Sequence, residues 1–452
     1  MSAATEKPSV LEKLSYAAGD GGANLIFQTQ ISFLLFFYTD VAGIPAAVAG
    51  TILMVSRIVE ALTDPVIGAL ADRTATRWGR YRPWIIGSAL PLAAALILCY
   101  TTPDLAPRGK IVWAFATYIL LMVLYAANNI PYCALSGVMT DDSEVRTSLQ
   151  SWRFLFAMAG TLLASVFTID LVERLGAGNR ASGYRAAMSV WALLALTCFL
   201  VTFFYTRERI EPVVQQQSSI RQRLSNLCRL GPWVALFSLG LLIHIQLSLR
   251  SSALLHYFAH YLHREDLYGE FNGIGLGVAM IGVFLAQPLA AKFGKRNTFQ
   301  ACLVLSAIFM ALFAAVPPDA VRTLFVVQVL MQLAFGPTIP LLWTMMADVA
   351  DYAEWKTGQR STALAFASIV FGLKLGLGLG ALVSGAWLEF VDYSPSSSQT
   401  ATATRGVVML VSVFPAIALL LGSAVLFFYR IDSRLEEEVK QTLRERRKEL
   451  QP

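Results

Sequence analysis

The sequence is poor in charge. Only 15% of its 452 residues are Asp, Glu, Lys or Arg, against about 25% in soluble globular domains, so water is not the main solvent of this chain. Cysteine is sparse as well. Cys99, Cys133, Cys198, Cys228 and Cys302 are scattered without CxxC or metal-ligand spacing, which leaves them as small apolar residues with no redox or metal role. No GxxxxGK[ST], HExxH or GxSxG occurs, so an enzyme reading has no support, and no cofactor is implied. Without a nucleotide site, uphill movement of a solute would have to draw on an ion gradient. A cleavable leader is also missing. The first dozen residues are polar, and the apolar stretch after them is too long for the core of a signal peptide.

What is present is hydrophobic sequence, at 56% of all residues. A spanning helix needs about 20 mostly apolar residues. Such segments run at 14–40, 46–71, 83–101, 111–136, 149–169 and 186–206, then at 232–257, 268–291, 298–316, 322–347, 361–390 and 406–429. The expected fold is therefore an all-α membrane protein with twelve transmembrane helices. It divides into an N-terminal six-helix bundle (1–206), a central loop (207–231), a C-terminal six-helix bundle (232–430) and a tail (431–452).

The net charge of +6 could by itself point to nucleic acid, but its distribution fits membrane topology. Arg73, Arg77, Arg80 and Arg82 follow the second segment, and Arg207, Arg209, Arg221, Arg223 and Arg229 fill the central loop. Lys292, Lys295 and Arg296 follow the eighth segment, and the tail carries seven more basic residues from Arg430 to Lys448. Loops on the other face are poor in Lys and Arg, so the positive-inside rule puts both termini in the cytoplasm of a plasma-membrane protein. The halves also echo each other. Asp64-Pro65 before Arg77-Trp78-Gly79-Arg80 corresponds to Gln287-Pro288 before Lys292-Phe293-Gly294-Lys295, and Ile130-Pro131 before Asp141 to Ile339-Pro340 before Asp348. Two matches in order indicate two bundles related by pseudo-two-fold symmetry, the layout of alternating-access carriers. With both halves in one chain, a functional monomer in the bilayer is expected.

A few charges lie inside the apolar segments: Asp20, Arg57, Glu60, Asp64, Arg153, Arg250 and Lys374. Each costs roughly 2.5–3.5 kcal/mol at a helix centre and needs a partner or an aqueous cavity. Arg57, Glu60 and Asp64 are spaced by three and four, so they share one face of the second segment. Two carboxylates one turn apart cannot easily both stay ionised in low dielectric, so a cation sits between them or one holds a proton. The alternative is an Arg57–Glu60 ion pair that fixes helix packing. Asn24, Asn128 and Asn129 supply donors and acceptors suited to sugar hydroxyls, or else interhelical hydrogen bonds. Gly372, Gly376 and Gly380 allow close helix contact around Lys374. The sequence assigns no role to Arg250, His244 or His256.

The chain resembles a glycoside–pentoside–hexuronide:cation symporter, of the melibiose-permease type within the major facilitator superfamily. The matching stretches run nearly end to end. They are Lys13-Leu14-Ser15-Tyr16, Phe37-Tyr38-Thr39-Asp40-Val41, Glu60-Ala61-Leu62-Thr63-Asp64-Pro65, Arg77-Trp78-Gly79-Arg80-Tyr81-Arg82-Pro83-Trp84, Asn129-Ile130-Pro131-Tyr132 and Ala347-Asp348-Val349-Ala350-Asp351-Tyr352. The resemblance implies a coupling-cation site of Glu60 and Asp64 with Asn129 nearby, taking H+ or Na+, the latter being the one metal ion expected. It implies sugar contacts from Asn24, Arg153 and Lys374, with Asp20 close to the same cavity; Asp20, Asn128 and Asn129 are taken as further substrate contacts, and Arg57, Arg77, Arg80, Asp141 and Asp351 as structural or gating residues. Asn24 and Asn129 stand where the melibiose permease has Asp, and Glu60 replaces the first cation-site Asp. Cys133 stands at its sugar-stacking Trp, with Trp343 the aromatic offered in exchange.

The expectation is secondary active symport of a glycoside, pentoside or uronide with H+ or Na+. The rival readings are a lysophospholipid-type carrier, which needs an apolar, laterally open cavity, and a non-transporting sugar sensor on the same fold.

Overall fold

The computed structural model describes residues 8–140, 143–209, 225, 227–357, 362–394 and 399–449. Its elements are α1 (Val10–Phe36), α2 (Ala46–Arg73), α3 (Arg82–Cys99), α4 (Pro107–Met139), α5 (Ser143–Gly176) and α6 (Arg180–Tyr205). They continue as α7 (Gly231–His260), α8 (Leu267–Phe293), α9 (Lys295–Leu312), α10 (Val321–Phe335), α11 (Thr338–Thr357) and α12 (Thr362–Phe390). The last are α13 (Ala401–Val411), α14 (Val413–Val425) and α15 (Ser433–Glu449). Among the described residues there is no β-strand, only an isolated bridge between Thr76 and Gly79. The all-helical class is as expected.

Eleven spans among the described residues are long and apolar enough to cross a membrane, with α10–α11 and α13–α14 each counted as one. The difference from the twelve expected is α1. Its 27 residues would reach about 40 Å at 1.5 Å per residue, but Asp20, Asn24, Gln28 and Gln30 dilute its apolar content. Elsewhere large apolar side chains point outward, with Phe284 79% and Phe390 77% exposed, a surface that suits hydrocarbon and not water.

The chain forms two compact units. Unit 1 comprises Met1–Val214, His263–Gly273 and Ser384–Thr400; unit 2 comprises Gln215–Leu262, Ile274–Val383 and Ala401–Pro452. In unit 1, α1 packs on α5 and α6, α2 on α4, and α3 on α4 and α6. The α1–α5 crossing is tight because a Cβ on Gly160 would overlap the carbonyl of Gly21. In unit 2, α7 packs on α13 and α14, and α9 on α10 and α14. As expected, the α12 glycines are packing residues: a Cβ on Gly376 would overlap the Leu241 carbonyl, and one on Gly380 would meet Ser248, both on α7.

The packing of unit 2 gives Arg250 a role. Pro415 has no N–H, so the carbonyl of Val411, four residues earlier, loses its helical donor, and the helix is interrupted there between α13 and α14. Arg250 on α7 supplies the donor: its Nη1 lies 3.0 Å from the Val411 oxygen. Nη2 donates to Gln328 Oε1 at 2.7 Å, Nη1 also meets the Met310 sulfur at 3.1 Å, and the guanidinium lies over the Phe313 ring. At membrane depth a buried carbonyl must be served from within the protein. His244 and His256 on α7 each turn a ring nitrogen to a carbonyl one turn back on the same helix. His244 Nδ1 lies 3.0 Å from the Gly240 carbonyl and His256 Nδ1 3.1 Å from that of Ser252.

Arg250→Met is expected to destabilise the protein by about 2–3 kcal/mol by orphaning the Val411 carbonyl. Pro415→Ala, which restores the missing N–H, is expected to recover a large part of that loss in the double variant. Thermal unfolding of the detergent-solubilised chain measures both. Equal losses with and without Pro415→Ala would show that Arg250 serves another purpose.

Candidate functional site

Four of the five membrane-depth charges of unit 1, all but Asp64, form the two ion pairs Arg57–Glu60 and Arg153–Asp20. Arg57 Nη1 lies 2.9 Å from Glu60 Oε2, with the side chains 5% and 1% exposed. Their three-residue spacing on one helix permits this contact. Arg153 Nε on α5 lies 2.9 Å from Asp20 Oδ2 on α1. Both pairs are flanked by aromatic rings. Arg57 sits over Phe27 at 5.4 Å and interacts with Tyr118; Arg153 sits over Tyr132 at 5.6 Å, and Tyr132 stacks on Tyr16.

Asn129 links the surroundings of the two pairs. Its Nδ2 donates to Tyr125 Oη at 2.9 Å, and its Oδ1 accepts from the Cys133 thiol at 3.1 Å. Tyr125 is within electrostatic range of Arg57, Glu60 and Asp20, while Arg153 Nη2 reaches the Cys133 sulfur at 3.4 Å. Helical spacing explains the chain: Tyr125, Asn129 and Cys133 are successive i, i+4 positions on α4. Asn24 Nδ2 is turned back to the Asp20 carbonyl at 2.9 Å. Asp64, one turn beyond Glu60 on α2, is half-buried.

Asn128 is placed differently from Asn129. It is 1% exposed, and its Nδ2 donates to the Ile85 carbonyl at 3.2 Å and to Ser88 Oγ at 3.0 Å on α3. One residue along a helix is a rotation of about 100°, which turns Asn128 into the α3–α4 interface, where its amide donor serves helix packing. Lys374 and Trp343 lie in unit 2, Lys374 half-buried on α12 and Trp343 43% exposed on α11.

The residues given gating roles are placed as follows. Arg77 stacks on Trp78, and Arg80 Nη1 reaches the Asp72 carbonyl at 3.4 Å. The centre of this motif is a residue the sequence did not single out. Glu208, just beyond α6, accepts from the backbone N–H groups of Arg80 (2.8 Å), Tyr81 (2.8 Å) and Arg82 (3.0 Å) at the start of α3. A carboxylate suits the positive end of a helix. Gly79 has φ +106°, and a Cβ there would overlap the Glu208 carboxylate, so glycine is required twice over. The Tyr81 hydroxyl donates to Asp72 at 2.8 Å; burial and that carboxylate push its pKa up to about 12, so it stays a donor at physiological pH. Asp141 lies outside the described residues. Asp351 is half-buried and makes no ion pair among the described residues; Asp348, one turn earlier, pairs with Lys295 at 2.7 Å, and Lys295 also meets Glu436 of α15 at 2.8 Å.

The Phe37–Val41 motif forms a π-helical turn at the end of α1. Asp40 accepts there from Thr39 and from Tyr393, each at 2.6 Å. Burial and Asp40 together raise the pKa of the Tyr393 phenol. Within electrostatic range of that phenol, Arg180 makes a two-bond pair with Glu265 at 2.6 and 2.7 Å. Among the described residues no cluster of His, Cys, Asp and Glu could hold a metal ion on its own.

Comparisons with known proteins add the lineage. The family model described as MFS/sugar transport protein matches residues 15–433. The chain is 36% identical over 422 residues to the inner membrane symporter YicJ of Escherichia coli (strain K12), covering 93% of this chain and 92% of that protein. It is 32% identical to the isoprimeverose transporter of Lactiplantibacillus pentosus, covering 93% and 88%. The crystal structure of the nucleoside transporter NupG superposes with a TM-score of 0.63 at 15% identity, covering 93% of this chain and 99% of that one; at that identity the likeness concerns the fold alone.

Gly79→Ala and Glu208→Ala are each expected to cost about 1–3 kcal/mol in thermal unfolding. Because both lose the same carboxylate clamp, the double variant should lose clearly less than the sum. Full additivity would mean that Gly79 is needed only for its backbone angle.

Proposed function

The chain belongs to the MFS/sugar transport protein family over residues 15–433, and from that premise we propose that it is a symporter coupling H+ or Na+ to uptake of a glycoside, pentoside or uronide. Membership makes it a multi-pass secondary transporter of the sugar class and not an enzyme. The finer reading rests on one observation: two ion pairs at membrane depth, the buried Arg57–Glu60 and the partly buried Arg153–Asp20, linked through Tyr125, Asn129 and Cys133. Buried charge is too costly in hydrocarbon to be kept without use. A chain of hydrogen-bonding groups between a cation-type and a sugar-type cluster is a physical route by which loading one could favour loading the other.

In this reading Glu60 and Asp64 load the coupling ion, with Asn129 beside them. Asp20, Asn24 and Arg153 meet the sugar, and Lys374 and Trp343 are the proposed contributions of unit 2. Arg153 is already balanced by Asp20 at 2.9 Å, so the cluster offers paired donors and acceptors without net charge, which favours sugar hydroxyls over a carboxylate as the main ligand. The remaining parts of the proposal are α1 as a twelfth span, two six-helix bundles working by alternating access, both termini cytoplasmic, a bacterial cytoplasmic membrane and a functional monomer.

The test is uptake of a labelled glycoside panel into right-side-out vesicles, with a Na+ gradient, a proton gradient or neither. Asp64→Asn is expected to reduce gradient-driven accumulation by roughly tenfold or more, equivalent to at least about 1.4 kcal/mol of lost coupling, while sugar exchange without a gradient persists. The gradient that drives the wild type identifies the ion. Accumulation that ignored both gradients, or survived Asp64→Asn unchanged, would rule the coupling site out.

A further inference from the structure

Glu60 is 1% exposed, and a carboxylate that deep stays ionised only with a positive partner. The partner present is Arg57, one turn back on the same helix, at 2.9 Å. Resting on the coupling reading above, we propose that Arg57 is a tethered competitor of the coupling cation: it holds Glu60 while the cation is absent and gives it up when the cation loads.

Two features favour exchange over a fixed pair. Two cations on one buried carboxylate repel each other strongly at low dielectric, so an incoming ion is favoured only if Arg57 moves off. Arg57 also has somewhere to go. Its guanidinium already lies 5.4 Å over the Phe27 ring of α1 and interacts with Tyr118 of α4, which together can hold a desolvated guanidinium without a carboxylate. The groups around Glu60 include Arg57 and Asp64 on α2, Tyr118 and Tyr125 on α4, and, through Tyr125, Asp20 on α1. Arg57 is the cation in direct contact with its carboxylate at 2.9 Å, so its position bears on how tightly Glu60 takes another. The exchange also leaves the unloaded carrier with Glu60 neutralised, which allows it to return empty without stranding a bare buried charge.

The competitor role predicts shifts of opposite sign from two variants. In proteoliposomes of the full chain, sugar exchange is followed as a function of Na+ concentration or pH, whichever drives the wild type. Arg57→Gln removes the competitor: the half-saturating cation concentration should fall by roughly tenfold or more, or the midpoint pH rise by about one unit if the ion is H+. Phe27→Leu removes the alternative seat, so Arg57 holds Glu60 more firmly and the half-saturating concentration should rise several-fold. Arg57→Lys should stay near the wild type, because it keeps a competing charge. A purely structural Arg57 would lower protein yield or maximal rate with the midpoint unmoved in both variants, and that result overturns the proposal. If the wild type shows no cation-dependent midpoint at all, the coupling reading fails instead, and the two failures are told apart by that control.

Discussion

Hydrocarbon offers no hydrogen-bond partner to a charge or to a backbone amide, and most of the specific chemistry of this chain follows from that constraint. Each buried cation described above has found an internal acceptor. Arg57 and Arg153 have carboxylates at 2.9 Å, while Arg250 has a carbonyl, an amide oxygen, a thioether and an aromatic ring. The contrast between the first two and the third is informative. Replacing a network such as that of Arg250 by apolar packing changes stability, because its work is to serve an orphaned carbonyl. The carboxylate pairs are different, since their partners can be exchanged for a solute or an ion of the same charge. On this physical criterion Asp20, Arg57, Glu60 and Arg153 suit the binding roles proposed above, and Arg250 suits a structural one.

The same criterion explains how far the sequence could be read. Period and length placed some helices to within two residues, the expected 46–71, 83–101 and 268–291 corresponding to Ala46–Arg73, Arg82–Cys99 and Leu267–Phe293, while others run well past their apolar core, the expected 149–169 being Ser143–Gly176. Local spacing also placed Arg57 on the face of Glu60, since partners three residues apart on one helix need no tertiary knowledge. What local spacing cannot reach are partners far apart in the chain. Arg250 serves a carbonyl 161 residues away, and Glu208 caps a helix start 126 to 128 residues before it. In each case half of the signal was visible, a proline in the last apolar segment and a glycine in a basic turn, but the complementary residue was not. For Asn128 the sequence left two uses open, a sugar contact or an interhelical hydrogen bond, for a different reason. Two adjacent asparagines look equivalent on paper, yet a rotation of about 100° sends one into the α3–α4 seam and the other toward Tyr125 and Cys133.

The polarity of α1 belongs to the same logic. A helix covered by α5 and α6 does not need to be apolar enough to partition into lipid alone, because its neighbours supply the environment. Of its polar residues Asp20 is 5% and Gln30 3% exposed, while Asn24 and Gln28 are half-buried, so part of the polarity that lowers its hydropathy is covered by protein. Its packing with glycines at positions 19, 21 and 22 lets the backbone of α1 approach its neighbours closely, and that proximity is what brings Asp20 within reach of Arg153. Low hydropathy and functional charge are thus one property of α1 and not two.

Coupling then depends on which contacts are shared. Asn129 has one amide, and both of its ends are engaged: the donor with Tyr125, which senses Glu60, and the acceptor with Cys133, which touches Arg153. A carboxylate at this position would add a charge and accept from both sides, whereas an amide donates on one side and accepts on the other, giving the chain of hydrogen bonds a direction. In the function proposed above, reorienting Arg57 would alter the field at Tyr125, and any change at Cys133 would alter the acceptor side of the same amide. Neither event needs a large movement to be felt at the other, because Tyr125, Asn129 and Cys133 are each in hydrogen-bond contact with the next. The link between ion and sugar can therefore be carried by the side chains of α4, on a helix held in register by Asn128 at its seam with α3.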